Sequence, residues 1–373
     1  MTGGGHGYLS STYGMGADNL LEATIVSPDG QVLIANPYQN QDLFFATRGG
    51  GGGTFGVLIS AVVRAYPTPQ TTNHNFDLTL LDPSKENEFW NMVGYIHTEL
   101  PRLNAAGMAG YYFLYVPPVV PTFIFSWTMY IYDKPNGTVE SLMQPIMDRL
   151  NNQSSVFSYG QQVSWYASFI DAYGLKEPED VGAPAATMGS RLLSTESLSD
   201  AGRVTEVLAS IGSSAKVTVS TSKSWVQRHA HKLQNPVIFS GSITASNQVP
   251  SYYPDLIGMT PAWRNTTLHL AIIEAWDETL DQTSVNEIFQ DVTWNRTQPL
   301  RDLSPDTGAY LNECDYFEPD WQTSLYGPNY PRLYEIKQKY DPQGLFWCQR
   351  CVGSDDWVQL DDKSLCRPSD FRQ

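Results

Sequence analysis

The feature that most constrains this chain is a pair of glycine-rich stretches inside its first 56 residues. The chain begins Met1-Thr2 and passes at once into Gly3-Gly4-Gly5-His6-Gly7; Arg48 is then followed by five consecutive glycines and Thr54-Phe55-Gly56. Glycine reaches φ > 0 and lets backbone approach a neighbour closely, so such runs belong to tight turns or to loops against a ligand. A glycine-rich turn normally joins two elements, yet only the second is visible at the start. Gly51-Gly-Gly-Thr-Phe-Gly56 satisfies G-x-G-x-x-G, but a dinucleotide fold needs a strand before it and a helix after. Here the pattern reads helix first and strand second, which argues against a Rossmann unit.

At 373 residues, 41% hydrophobic and 12% aromatic, the chain has globular composition and the length for two domains. A net charge of −16 argues against a nucleic-acid partner, whose phosphates call for a basic face. No apolar run approaches the roughly 18 residues of a membrane span.

All four cysteines lie late, at Cys314, Cys348, Cys351 and Cys366. Zinc at Cys348-x-x-Cys351 would need two further ligands nearby, and no histidine lies beyond His269, so no metal is assigned. The even count in one region fits two disulfides and a secreted or secretory-pathway protein. Sequons at Asn136, Asn152, Asn265 and Asn295 agree with that compartment, although their number is near chance.

Residues 21–35 read as a hairpin around Pro28-Asp29-Gly30, followed by a short helix with Asn40 as N-cap and by a buried strand over Val57–Tyr66. Pro67 and Pro69 mark a boundary. Beyond it the pattern predicts helices over Ser84–Leu100, Thr138–Leu150 and Glu196–Ile211. Strands are expected at 108–116, 122–132, 189–193, 216–220, 237–245 and 267–276. A last helix runs over Asn329–Tyr340. This is an α+β pattern, a mostly antiparallel sheet with helices over one face. Aromatic strands such as Tyr111-Tyr112-Phe113 could floor a pocket or fill the core.

Single residues leave alternatives open. His6 is a hydrogen-bonded structural histidine or a catalyst. Glu274, on the strand with His269, is edge-exposed or site-lining. A buried tyrosine beside an electron-poor partner can act as a base, and Tyr310-x-Asn312 and Asn329-Tyr330 bracket the returning C-terminal segment.

Six segments, in order, resemble the berberine-bridge-enzyme-like branch of the vanillyl-alcohol-oxidase flavoproteins: GGGHGYLSSTYGMGADNLLEATIVSPDG, DLFFATRGGGGGTFGV, GSRLLS, PAWRNTTLHL, YLNECDYFEPDWQTSLYGPNYPRLYEIKQKYDPQGLF and CVGSDDW. The resemblance runs from residue 3 to about 357. It implies part of a PCMH-type FAD-binding domain over 1–67, a substrate domain over 68–305, and a segment over 306–373 that returns to the first. It also implies oxidation of an alcohol, of a carbohydrate or a secondary metabolite, with hydride passing to flavin N5 and molecular oxygen as acceptor. By the same resemblance Gly3, Gly4, Gly5, His6, Gly7, Tyr13, Gly14, Asp18, Asn19, Ile25 and Asn312 contact the flavin or its diphosphate, with Asn329 at the ring's polar edge. Tyr310 or Tyr330 would deprotonate the substrate, and His269 and Glu274 would line its pocket. One departure is Phe45-Ala-Thr47, where the family has Trp-Ala-Leu or Trp-Ala-Ile.

Family members carry a further half of the FAD domain ahead of the GGGHG segment, with the main pyrophosphate loop and the residues that attach flavin. On that ground the chain alone is expected to bind FAD weakly or not at all, and such a segment is a candidate partner. A non-redox binding module for a carbohydrate or metabolite, and a structural secreted domain, are the competing expectations.

Overall fold

A computed structural model describes residues 1–174, 185–213, 237–246, 248–360 and 364–368. The strand expected over Lys216–Ser220 lies outside these residues.

The hairpin forms as expected. Leu20–Val26 (β1) pairs antiparallel with Val32–Ala35 (β2), and Ser27 N–H donates to Gln31 O across the turn. The Gln41–Thr47 helix follows, burying Leu43 to Thr47. Asn40 stands at its N-terminus but does not cap it. Its backbone is left-handed, and its side chain donates instead to Ile34 O at 2.8 Å, tying the helix to β2. Val57–Val63 (β3) completes a three-stranded sheet in the order β2-β1-β3. The poly-glycine run thus connects a helix to a strand, the reverse of a dinucleotide fold. One expectation is overturned here: β3 is not buried, because all seven of its residues are exposed. It pairs with β1 along one edge only, and among the described residues no other element is placed against it.

The middle of the chain builds a seven-stranded antiparallel sheet, ordered β7-β4-β6-β5-β9-β10-β8. Its strands are Thr71–Leu80 (β4), Ala109–Tyr115 (β5), Ile124–Tyr132 (β6), Phe157–Tyr166 (β7), Ala186–Leu193 (β8), Val237–Ile243 (β9) and Leu268–Ala275 (β10). Alternation sends Phe76, Leu78, Tyr112, Leu114, Phe125, Trp127, Phe239, Leu268, Leu270 and Ile272 to one face, where they share a core with three helices. Those helices are Glu86–Ala105, Thr138–Asn151 and Ala201–Gly212; the last starts at Ala201 because Asp200 accepts from the N–H groups of Gly202 and Arg203.

A second core joins distant sequence. Leu20, Ile25, Phe44, Phe45 and Phe55 pack with Ala309, Leu325, Tyr326, Leu333 and Val352. The Tyr330–Tyr340 helix clasps the early strands: Lys337 Nζ donates to Thr54 O and pairs with Asp341, both at 2.7 Å. Near this segment a Cys348–Cys351 disulfide closes a tight loop. The expectation of two disulfides is corrected, since Cys314 and Cys366 are free thiols. Cys314 is half-buried, and Cys366 pairs in a short strand with Val358.

Candidate active site at the sheet–loop junction

The site is built on the face of the large sheet that the helices leave uncovered. Register places Tyr111 of β5 opposite Ser242 of β9, and Ser242 opposite His269 of β10. Paired residues share a face, so the three form a row across adjacent strands. The Gly3–Gly7 loop lies over this row and lowers His6 onto it. His6 Nδ1 is 3.0 Å from Tyr111 Oη and 3.5 Å from Ser242 Oγ.

The other ring nitrogen meets an acid that sequence reasoning did not single out. His6 Nε2 lies 3.2 Å from Glu313 Oε1, and a carboxylate only accepts, so Nε2 carries the shared hydrogen. Glu313 Oε2 is 3.7 Å from His269 Nδ1. The rings of His6, His269, Trp263 and Tyr310 form one cluster, with His6 and Tyr310 edge to face at 5.1 Å.

Tyr310 occupies a donor cradle. Its oxygen accepts from Gly5 N–H at 3.1 Å and from Asn312 Nδ2 at 2.5 Å. This contact explains the glycines. A Cβ on Gly3 would strike the Asn312 amide, and one on Gly4, at φ +129, would sit 3.1 Å from the Tyr310 ring. Larger residues would lift the loop off the site.

Electrostatics separate the groups. Burial lowers the His269 pKa to about 4, so that its ring is neutral near pH 7. Burial raises Tyr310 despite its two donors, and it remains a phenol. Burial pushes Glu313 upward, but the His6 hydrogen bond and the nearby histidines outweigh it and hold the acid below its ordinary value.

His6, His269 and Glu313 are of metal-ligating types, with donor atoms within 4.8 Å of one another. The His6 N–H directed at the carboxylate makes the set an acid–base network as it stands.

Other expected site residues are placed elsewhere. Asp18 is buried and holds Arg264, and its Oδ2 accepts from Met15 N–H. Asn19 is consumed by Tyr13 O, Met15 O and the Tyr66 hydroxyl. Tyr13 stacks on Tyr66 at 4.0 Å, and Gly14 at φ +87 makes room for the Tyr252 ring. These four therefore shape the loop from behind. Ile25 is in the second core, against Gly56. Tyr330 donates to Asp355 at 2.9 Å among Trp321, Tyr326 and Tyr334, away from the His6 cluster, and burial raises it to about 12. Asn329 donates to Ile257 O and Met259 O. Glu274 is turned to the helical face of β10, 3.8 Å from Arg296, opposite His269.

Features open to a ring ligand lie on the loop side. A Cβ on Gly7 would meet nothing within 4 Å. In the cluster, His269 Nε2 and Trp263 Nε1 are buried polar atoms with no hydrogen-bond partner. A heteroaromatic group seated over the loop fits both observations.

Sequence comparison matches residues 309–353 to the family described as berberine and berberine like. An uncharacterized FAD-linked oxidoreductase of Arthroderma benhamiae is 32% identical over 372 residues, 98% of this chain and 60% of the relative. The FAD-linked oxidoreductase patO of Aspergillus clavatus is 31% identical, with 98% and 59% covered. Among solved structures, the VAO-type flavoprotein MtVAO713 of Myceliophthora thermophila C1 superposes with a TM-score of 0.85 at 27% identity, covering 98% of this chain and 62% of that one. The chain spans about 60% of the length of the curated relatives it matches.

Proposed function

We propose that the chain, similar along nearly its whole length to FAD-linked oxidoreductases and matched in part by the berberine family model, oxidises an alcohol at the junction where His6, Tyr310 and Glu313 meet. The observation that carries this reading is the convergence itself. The Gly3–Gly7 loop, the Tyr310–Glu313 segment and the open face of the large sheet place three proton-handling side chains around one point.

The Gly3–Gly7 loop would hold the flavin ring, with Asn312 at its polar edge; Tyr13, Gly14, Asp18 and Asn19 fix the loop's shape. The chemistry that FAD supplies when bound is acceptance of a hydride at N5 and reoxidation by molecular oxygen to hydrogen peroxide. The protein's own contribution is to orient the carbinol and to move its proton. Tyr310, a phenol whose oxygen is held by two donors, has its own hydrogen free to point at the substrate oxygen and position it.

The uncovered sheet face supports a polyhydroxylated substrate. Beside the Tyr111–Ser242–His269 row it carries Asn75, Asp77, Ser126, Thr128 and Ser240, with Phe113 exposed among them. Hydroxyl and amide groups around an aromatic ring suit a sugar or a hydroxylated metabolite, whose C–H faces stack while its hydroxyls bond. The disulfide and the exposure of all four sequon asparagines support passage through the secretory pathway. The exposed apolar β3 supports docking of further FAD-domain structure, of which the longer relatives have room for more.

The test is reconstitution with FAD, followed by anaerobic addition of a panel of saccharides and hydroxylated aromatics. Bleaching of the visible flavin band by a panel member, and peroxide on admitting air, are expected. Saccharide binding without any bleaching would overturn the redox reading in favour of a binding module.

A further inference from the structure

We infer that Glu313 is the group that accepts the substrate's hydroxyl proton, with His6 as its positioning residue; this rests on the alcohol-oxidation reading above.

Geometry selects Glu313 from the titratable groups of the cluster. Its Oε1 is fixed by His6 Nε2 at 3.2 Å, and Oε2 stands 3.7 Å from His269 Nδ1, too far to be consumed by a hydrogen bond. The carboxylate side chain is 35% exposed, whereas those of His6 and His269 are 9% and 1% exposed. A substrate entering over the sheet face therefore reaches the acid more easily than either ring. Tyr310 has two hydrogen bonds donated to its oxygen and stays protonated. The nearby acids Asp315 and Glu318 are spent on Arg301, at 2.8 and 2.6 Å.

The groups facing Glu313 come from each surrounding element: His6 from the glycine loop, backed by Tyr111 of β5; His269 from β10; and Tyr310 from its own segment. None is an acid, so no like charge stands against its ionised form. His6 is itself held from behind by Tyr111 and Ser242, which fixes the direction of its Nε2–H.

In the step, the carbinol O–H bond breaks and its proton passes to Glu313 Oε2. The electron pair left on oxygen forms the C=O bond as the carbon's hydrogen departs with its own pair to oxidised flavin. The alcohol is oxidised by two electrons and the flavin reduced by two. The proton on Glu313 leaves through its exposed edge to water.

The experiment compares wild type, Glu313→Gln and Glu313→Asp after FAD reconstitution, and reads the rate of anaerobic flavin reduction against pH. Expected is a loss of about a hundredfold or more in Glu313→Gln with substrate affinity little changed, disappearance of the acid limb of its pH profile, and partial rescue by Glu313→Asp. A second readout needs no flavin: an amino analogue of the substrate, its ammonium replacing the reacting hydroxyl, should bind wild type at least about tenfold more tightly than Glu313→Gln by calorimetry. Flavin reduction at the wild-type rate in Glu313→Gln overturns the assignment and leaves the oxidase reading standing. Flavin that no alcohol reduces, in wild type as in the variants, overturns the oxidase reading and the assignment with it.

Discussion

Arg264 closes a two-pronged ion pair on Asp18, at 2.7 and 2.9 Å, with both side chains almost wholly withdrawn from water. The pair ties the early glycine loop to the end of the middle region, 246 residues away in sequence. Arg264 also donates to Val249 O at 2.9 Å. Removing the arginine would leave Asp18 buried and uncompensated, which costs about 3–5 kcal/mol. Arg264→Ala should therefore lower the urea midpoint sharply. Lys339→Ala, which breaks a pair whose lysine is mostly exposed, should cost at most about 1 kcal/mol. Equal midpoints for the two variants would refute this ranking.

Acid should weaken the fold through its buried histidines before its carboxylates titrate. Burial lowers His74, His97 and His269 from 6.5 to about 4. Between those values the unfolded chain binds protons that the folded chain refuses, so stability falls as pH drops from about 6.5 toward 4 and is regained on raising it. Thermal midpoints across that window should decline, and His97→Gln should flatten part of the slope. His97 is the cleanest test because it sits on the buried side of the Glu86–Ala105 helix, bonded to Val93 O and to Tyr112 at 2.6 Å, outside the candidate site.

The edge strand β3 should make the chain self-associate. Val57, Ile59 and Val62 are each more than half exposed on a strand with one free ladder edge. Ile59→Lys should reduce light scattering at high protein concentration while leaving the thermal midpoint nearly unchanged. Unaltered scattering would show that association runs through another surface.

Much of this architecture was legible in the sequence, and the omissions share a cause. Strands β5, β6, β9 and β10 declare themselves through aromatic and β-branched runs. β4 and β7 do not. In Thr-Thr-Asn-His-Asn-Phe-Asp-Leu-Thr-Leu the residues Asn73, Asn75 and Asp77 disfavour strands, yet β4 lies between β6 and β7 because Phe76, Leu78 and Leu80 fill the core. The polar half of that alternation is what lines the open face. β3 fails in the opposite sense: its apolar residues argue for burial, which the described residues do not provide.

In the site, His6, Tyr310, Asn312 and His269 are brought together, whereas Tyr330 and Glu274 are not. Strand alternation already set Glu274 opposite His269. Nothing local separates Tyr310 from Tyr330, since only the tertiary path puts one beside Gly5 and the other beside Asp355. Glu313 had a signal, its place directly after Asn312. Arg264 had none, because its partner is fixed by long-range packing.

The second core has a consequence for synthesis. Its apolar residues come from two stretches far apart in sequence: Leu20 to Phe55 leave the ribosome while Ala309 to Val352 are still untranslated. The sheet of the middle region draws its main core from residues 76–303 and can consolidate first. The early hairpin must wait with one face bare until the Tyr330–Tyr340 helix emerges to cover it. A pause in translation before that helix prolongs the exposure, so expression yield should depend on elongation speed over residues 309–352.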